Sequence, residues 1–338
     1  MRVLILGGTG KISTGITRLL VERGDDVVLF NRGTTGSLID GGYTTITGDR
    51  KTDLPAFEKQ MTEAGTFDCV IDMICHTPAE AESAVRAFSG RAGQYIFTSS
   101  VDAYTKPAAK YPIIEGVERE PAKEFAYGYD KARSEDVLFA AHERGELKVT
   151  VIRPGHTYGE GGNNLLHPVG FGNCYLDRMK RGMPIILHGN GQSVWPTCHR
   201  NDVAGAFVGA IGNEKAMGRG YHVTGEELMT WQQYHDGIAE AMGYPAPQYV
   251  FIPTDVLVRM IPAQAAMLCK YNFSYNNIFD NTAAREDLGF KITIGWVEGV
   301  RPTIEWLEQN GLLQSAEEFP LYDRVIETWK KATGELSV

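Results

Sequence analysis

Short apolar runs rich in β-branched and aromatic residues alternate with helix-length stretches through the first half of this chain, and no other feature restricts its folding so strongly. The runs are RVLILG (2–7), DVVLFN (26–31), YTTITGD (43–49), FDCVIDMI (67–74), QYIFTSS (94–100) and KVTVIRPG (148–155). Helices are expected from about Ser13 to Arg23 and around 54–64, 78–89 and 127–144. Such alternation predicts a doubly wound parallel sheet of the α/β class, covered by helices on both faces. Uninterrupted runs such as VLIL and YIF fit strands buried on both sides.

After Pro154 the pattern changes to Gly/Asn/Pro-rich loops, GHTYGEGGNN and LHGNGQSVWPT, interleaved with helices. This predicts a smaller C-terminal α/β substrate domain whose loops close over a ligand. HRNDVAGAFVGAI (199–211) is expected to return as a helix and GYHVTG (220–225) as a late strand, so the first domain takes 1–154 plus about 197–230 and the substrate region about 155–196 plus 231–338. The formal charge of −9 disfavours phosphate backbones, so nucleic acid is not an expected partner and a small molecule is. Five cysteines without C-x-x-C pairing argue against a disulfide framework or cysteine zinc site. No H-E-x-x-H or H-x-H spacing occurs among the eight histidines, so no catalytic metal is expected. The start MRVLILGG has no signal-peptide pattern and no apolar run approaches membrane-spanning length. A cytoplasmic location without membrane contact is the expectation.

VLILGGTGKISTG (3–15) sets a glycine cluster between the first strand and the first helix. A P-loop requires G-x-x-x-x-G-K-[ST]; here Ile5 stands where the first glycine must be and Ile12 where the metal-binding hydroxyl must be. A dinucleotide loop needs glycines at Gly7, Gly10 and a third place, which is Ser13. A small residue is tolerated there, and its hydroxyl can cap the helix. The loop therefore reads as a Rossmann-type pyrophosphate cradle, with Lys11 facing solvent or the pyrophosphate edge. At the end of the second strand, where an acidic residue would select NAD, stand Asn31 and Arg32. An amide and a guanidinium favour the 2′-phosphate of NADP over NAD, unless Arg32 stacks on adenine or is solvated. Asp49 ends the third strand, either reaching the adenine amino group or serving as a turn residue.

Of the fifteen tyrosines only Tyr127 has a lysine four positions on, Lys131 in YGYDK. On a helix these side chains share a face, and an ammonium near a phenol is expected to lower its pKa toward usable acid/base range. FTSSVDAY supplies Ser99 and Ser100 at a strand's C-terminal end, where a substrate oxygen would sit. His76 and His156 are candidates for the mouth of such a site. The aromatic residues Trp195, Tyr158, Phe171 and Tyr175 offer either faces for a sugar ring or core packing.

At these residues the chain resembles the short-chain dehydrogenase/reductase superfamily, in its extended, NAD(P)-dependent epimerase/dehydratase branch. GGTGKIS, TSSVDAY, YGYDK, VIRPGHTYG, GNGQ…HRNDVA and YHVTGEE fall in family order across nearly the whole chain. The resemblance implies Tyr127 as acid/base, Lys131 on the nicotinamide ribose, and Ser100, four before Tyr104, as the catalytic hydroxyl. It places Arg153, Pro154 and Gly155 beside the nicotinamide. The implied NADP or NAD contacts are Gly7, Thr9, Gly10, Lys11, Ile12, Asn31, Arg32, Asp49, Lys131 and Pro154; Ser99, His156 and Trp195 are candidate substrate contacts. Trp195 stands where nucleotide-sugar members carry an arginine, and an indole makes no ionic clamp on a diphosphate. Arg181 and His199 are alternative anion contacts or structural residues. The chain thus looks closer to an atypical branch that includes stem-loop binding protein-like members. The expected function is hydride transfer on a hydroxylated sugar or derivative, with cofactor sensing or RNA binding as the alternative. A homodimer is expected because related proteins pair cofactor-domain helices.

Overall fold

Alternate residues of a strand face opposite sides of a sheet, and here both sides are apolar. A computed structural model of the chain describes residues 1–34, 38–162 and 165–334. The first of two compact units comprises the described residues of Met1–Thr157, Cys198–Gly225 and Phe279–Thr293. Its elements are β1 (Arg2–Leu6), α1 (Lys11–Arg23), β2 (Asp26–Asn31), β3 (Tyr43–Thr47), α2 (Leu54–Glu63), β4 (Cys69–Asp72), α3 (Pro78–Phe88), β5 (Tyr95–Thr98), α4 (Ala126–Glu143), β6 (Val149–Pro154), α5 (Arg200–Ala210), β7 (Arg219–Val223) and α6 (Thr282–Leu288). Val3 and Ile5 of β1 join Val27, Ile71 and Ile152 under α1, α5 and α6. Leu4 and Leu6 join Val28, Val70 and Phe97 under α2, α3 and α4. Two-sided burial explains why these strands read as continuous apolar runs.

All seven strands are parallel, in the order β3-β2-β1-β4-β5-β6-β7. The chain reverses direction across the sheet between β1 and β4, and beyond the carboxyl ends of such a pair a crevice opens. Helix α1 begins at Lys11, earlier than its apolar pattern suggests, because Gly10 serves as its N-cap. The segment Phe279–Thr293, expected on the substrate side, belongs with the first unit. Ala284 and Leu288 of α6 and the following Phe290 are buried beside α5 and β7, and Asn281 is paired through both side-chain atoms with the backbone of Thr224.

The second unit comprises the described residues of Tyr158–Thr197, Glu226–Ile278 and Ile294–Val338. Parallel strands Ile185–His188 and Tyr249–Ile252 accompany helices that include Cys174–Lys180, Trp231–Met242 and Trp296–Gln309. An aromatic core holds them: Trp195 stacks on Trp231 at 4.9 Å and Tyr234 on Trp296 at 4.4 Å. The last two residues of the GHTYGEGGNN loop, Asn163 and Asn164, lie outside the described residues. All five cysteines are buried free thiols. Among the described residues no helix is long and apolar enough to cross a membrane.

Candidate active site

The turn after β1 is built on Gly7, whose φ is +84° and where a Cβ would stand 2.5 Å from Ile74 Cγ2. A side chain is excluded there both by backbone conformation and by the β4–α3 loop. Ser13 closes the turn: its hydroxyl donates to the Gly7 carbonyl at 2.6 Å and accepts the Gly10 amide at 2.8 Å. The residue in the third-glycine place thus holds the cradle by hydrogen bonds.

A cavity of about 330 Å³ opens at this turn, lined by Gly7, Gly10–Ser13, Met73, Ile74, His76, Thr98–Ser100, Tyr127, Lys131, Pro154, Gly155 and Thr157. The carboxyl ends of β1, β4, β5 and β6 and the first turns of α4 therefore converge. Of the residues singled out in the sequence, Gly7, Gly10, Lys11, Ile12, Ser99, Ser100, Tyr127, Lys131, Pro154 and His76 are brought together, whereas Thr9, Asn31, Arg32, Asp49, His156 and Trp195 do not line the cavity. The hydrophobic wall of Met73 and Ile74 was not singled out; its signal was only the position after a buried strand.

Lys131 is buried, and its ammonium donates to the carbonyls of Cys75 and Thr98, each at 2.7 Å. Burial lowers its pKa. Its Nζ lies 5.9 Å from the Tyr127 ring centre. The expectation that this ammonium lowers the phenol is corrected here: burial of the hydroxyl and the nearby Asp102 carboxylate push Tyr127 up to about 12, and a hydrogen bond from Ser100 only partly opposes them. As a whole residue Tyr127 remains 45% exposed. Helix α4 seats this close to the 101–103 turn because position 128 is glycine; a Cβ there would collide with the Asp102 carbonyl oxygen. Ser100 Oγ also accepts the Asp102 amide at 3.1 Å, capping that turn.

Other assignments look different once their partners are seen. The Ser99 hydroxyl donates to the buried Glu135 carboxylate, so it is directed away from a substrate oxygen. Arg153 is likewise an internal partner of Glu135. Trp195 is 5% exposed within the aromatic core of the second unit, leaving little face for a sugar ring. Asn31 Oδ1 accepts the Gly33 amide at 2.9 Å and Asp49 Oδ1 the Lys51 amide at 3.0 Å, both shaping turns, while Arg32 is exposed. His156 is half-buried. Burial and the Lys131 charge lower the His76 pKa.

The cradle fits a dinucleotide: Gly7 leaves space no side chain could share, the N-terminus of α1 faces the same cavity, and Lys131 keeps a third ammonium proton beyond the two it gives to carbonyls. A parallel sheet with this turn at its switch point defines the class of dinucleotide-binding α/β folds. Residues 3–224 match the model of the NAD dependent epimerase/dehydratase family, and the chain belongs to that family. It is 29% identical over 245 residues to 2′-dehydrokanamycin reductase of Streptomyces kanamyceticus, covering 72% of this chain and 68% of that protein. It is also 29% identical over 262 residues to chloroplast stem-loop binding protein of 41 kDa b of Arabidopsis thaliana, covering 74% and 65%. Among solved structures, UDP-glucose 4-epimerase from Thermotoga maritima with UDP-glucose superposes with a TM-score of 0.71 at 21% identity, covering 92% of this chain and 99% of that one. UDP-glucuronic acid 4-epimerase from Bacillus cereus with NAD gives 0.71 at 14% identity, with the same coverage.

Proposed function

We propose that the protein is an NAD(P)-dependent oxidoreductase or epimerase acting on a hydroxylated sugar derivative, with Tyr127 as acid/base. The observation that carries this reading is the convergence of Ser100, Tyr127 and Lys131 with the glycine turn on one cavity. When bound, the nicotinamide supplies the acceptor or donor of hydride. Tyr127 gives or takes the proton at the substrate oxygen, Ser100 holds that oxygen, and the remaining Lys131 proton holds a ribose hydroxyl. A phenol pushed upward by burial and by Asp102 is protonated near neutrality, which suits the donor role on a carbonyl. The similarity to 2′-dehydrokanamycin reductase supports a small hydroxylated substrate of the sugar-derivative kind, and Trp195 in place of an arginine favours one without a nucleotide. Asn31 and Arg32 favour NADP. We place the protein in the cytoplasm, as a homodimer.

The test is mass spectrometry of the copurifying dinucleotide, then nicotinamide absorbance across a panel of sugar alcohols and ketosugars. Tyr127→Phe is expected to lower turnover by about 100-fold or more while dinucleotide binding is retained; undiminished turnover would refute the assignment. Likeness to a stem-loop binding protein keeps one rival in view, and salt-dependent RNA binding without turnover on any panel member would favour it.

A further inference from the structure

We infer that Glu135 is the positioning residue of this site, fixing from one buried carboxylate the segments that carry Ser100 and Tyr127; the inference rests on reading those two residues as the reacting groups. Tyr127, Lys131 and Glu135 follow at intervals of four along α4 and so share one face of the helix. Glu135 is fully buried and is not among the cavity-lining residues. A carboxylate in that position is tolerated only with donors around it. Oε1 accepts from Ser99 Oγ and, at 2.9 Å, from Arg153 Nε. Oε2 accepts from Arg153 Nη2 and Arg119 Nη1, each at 2.6 Å. Burial alone would raise the carboxyl pKa, but the Arg153 and Arg119 guanidiniums outweigh it and hold Glu135 ionised.

From Glu135 the network runs outward through Arg119 to Asp136 at 3.0 Å and inward through Arg153 to Tyr104 and His222. His222 Nδ1 lies 2.9 Å from the Asp280 carbonyl and must donate to it, which leaves Nε2 of the neutral ring to accept from Tyr104 Oη at 2.7 Å. The Tyr104 oxygen in turn accepts Arg153 Nη1 at 2.8 Å. Arg153 is thereby held on both edges, and with it the end of β6 that leads to Pro154 in the cavity. Ser99, fixed by Glu135, immediately precedes Ser100; Tyr127 lies two helical turns before Glu135. Both Ser100 and Tyr127 shift if Glu135 lets go.

Glu135→Gln and Ser99→Ala test this in protein labelled with carbon-13 at tyrosine Cζ, with the Tyr127 resonance assigned from Tyr127→Phe. Near neutral pH both variants are expected to displace the Tyr127 resonance while dinucleotide binding, read by fluorescence, stays within about twofold, because neither residue belongs to the glycine turn or to α1, and the Ser99 hydroxyl that lines the cavity is committed to Glu135. With a substrate from the panel, kcat falls by up to about 100-fold, the scale of a misplaced reacting group, with KM little changed. The double variant is no worse than Glu135→Gln alone, as expected for residues acting through one contact. An unmoved Tyr127 resonance, or additive losses that track thermal stability, overturns the role. Should Glu135→Gln fail to fold, Ser99→Ala removes only the hydroxyl and reads the same bond. The resonance needs no substrate, so failure of the sugar-derivative reading leaves this test standing.

Discussion

A φ of +84° and a neighbouring methyl 2.5 Å from any added Cβ make Gly7 the least replaceable residue of the cradle. Gly7→Ala is expected to cost about 1–3 kcal/mol of stability from backbone strain and displacement of Ile74, and to weaken dinucleotide binding together with it. Isothermal titration and denaturant melts of the same preparation check both; unchanged affinity would show that the phosphates avoid this turn. Lys131 is only half described by its spacing. Its spacing from Tyr127 correctly gave a shared helix face, yet its protons go to the carbonyls of Cys75 and Thr98. Those acceptors lie in the loop after β4 and at the end of β5, far away in sequence, so nothing in YGYDK could announce them.

Elements of the sheet were readable because burial on both faces forces uninterrupted apolar strands, and the glycine and helix signals between them are local. Helix α6 was not, since seven residues with two apolar anchors look like any surface turn until β7 and α5 are present to cover them. Leu288 is 5% exposed in that packing. Leu288→Ala is expected to destabilise the first unit by about 2–5 kcal/mol, as for a buried leucine leaving a cavity. Urea unfolding followed by near-ultraviolet circular dichroism measures it. A loss below about 0.5 kcal/mol, the range of surface substitutions, would mean that this segment does not help hold the sheet.

Across the whole molecule several histidines are buried neutral. In the second unit His235 Nδ1 donates to the Trp231 carbonyl at 2.7 Å, its Nε2 accepts from His167 Nδ1 at 2.9 Å, and His167 Nε2 accepts from Tyr322 at 2.8 Å. Every ring nitrogen is committed, and an added proton would find no acceptor. Burial pushes His235 and His188 down to about 4 from 6.5, and His222 of the first unit to about 3. Below pH 6.5 the unfolded chain binds protons that the folded one refuses, so stability is complete above that value and declines as pH falls toward 4. His235 and His188 each contribute at most about 3 kcal/mol to this decline, and His222 at most about 5 kcal/mol once the pH reaches its own value. Thermal unfolding across that window should therefore show a falling midpoint already between pH 6.5 and 5, above the range where carboxylates titrate. A flat midpoint there would refute the buried neutral histidines.

By itself the sequence determined the parallel sheet, the glycine cradle and the face on which Tyr127 and Lys131 lie, because each depends on residues a few positions apart. Only the tertiary structure decided what those groups touch. Burial and Asp102 raising Tyr127, Glu135 gathering Ser99, Arg119 and Arg153, and Trp195 disappearing into an aromatic stack all arise between separated segments. Burial in a low-dielectric interior turns those contacts into the strongest electrostatic effects of the site, and spacing along a chain carries no record of burial.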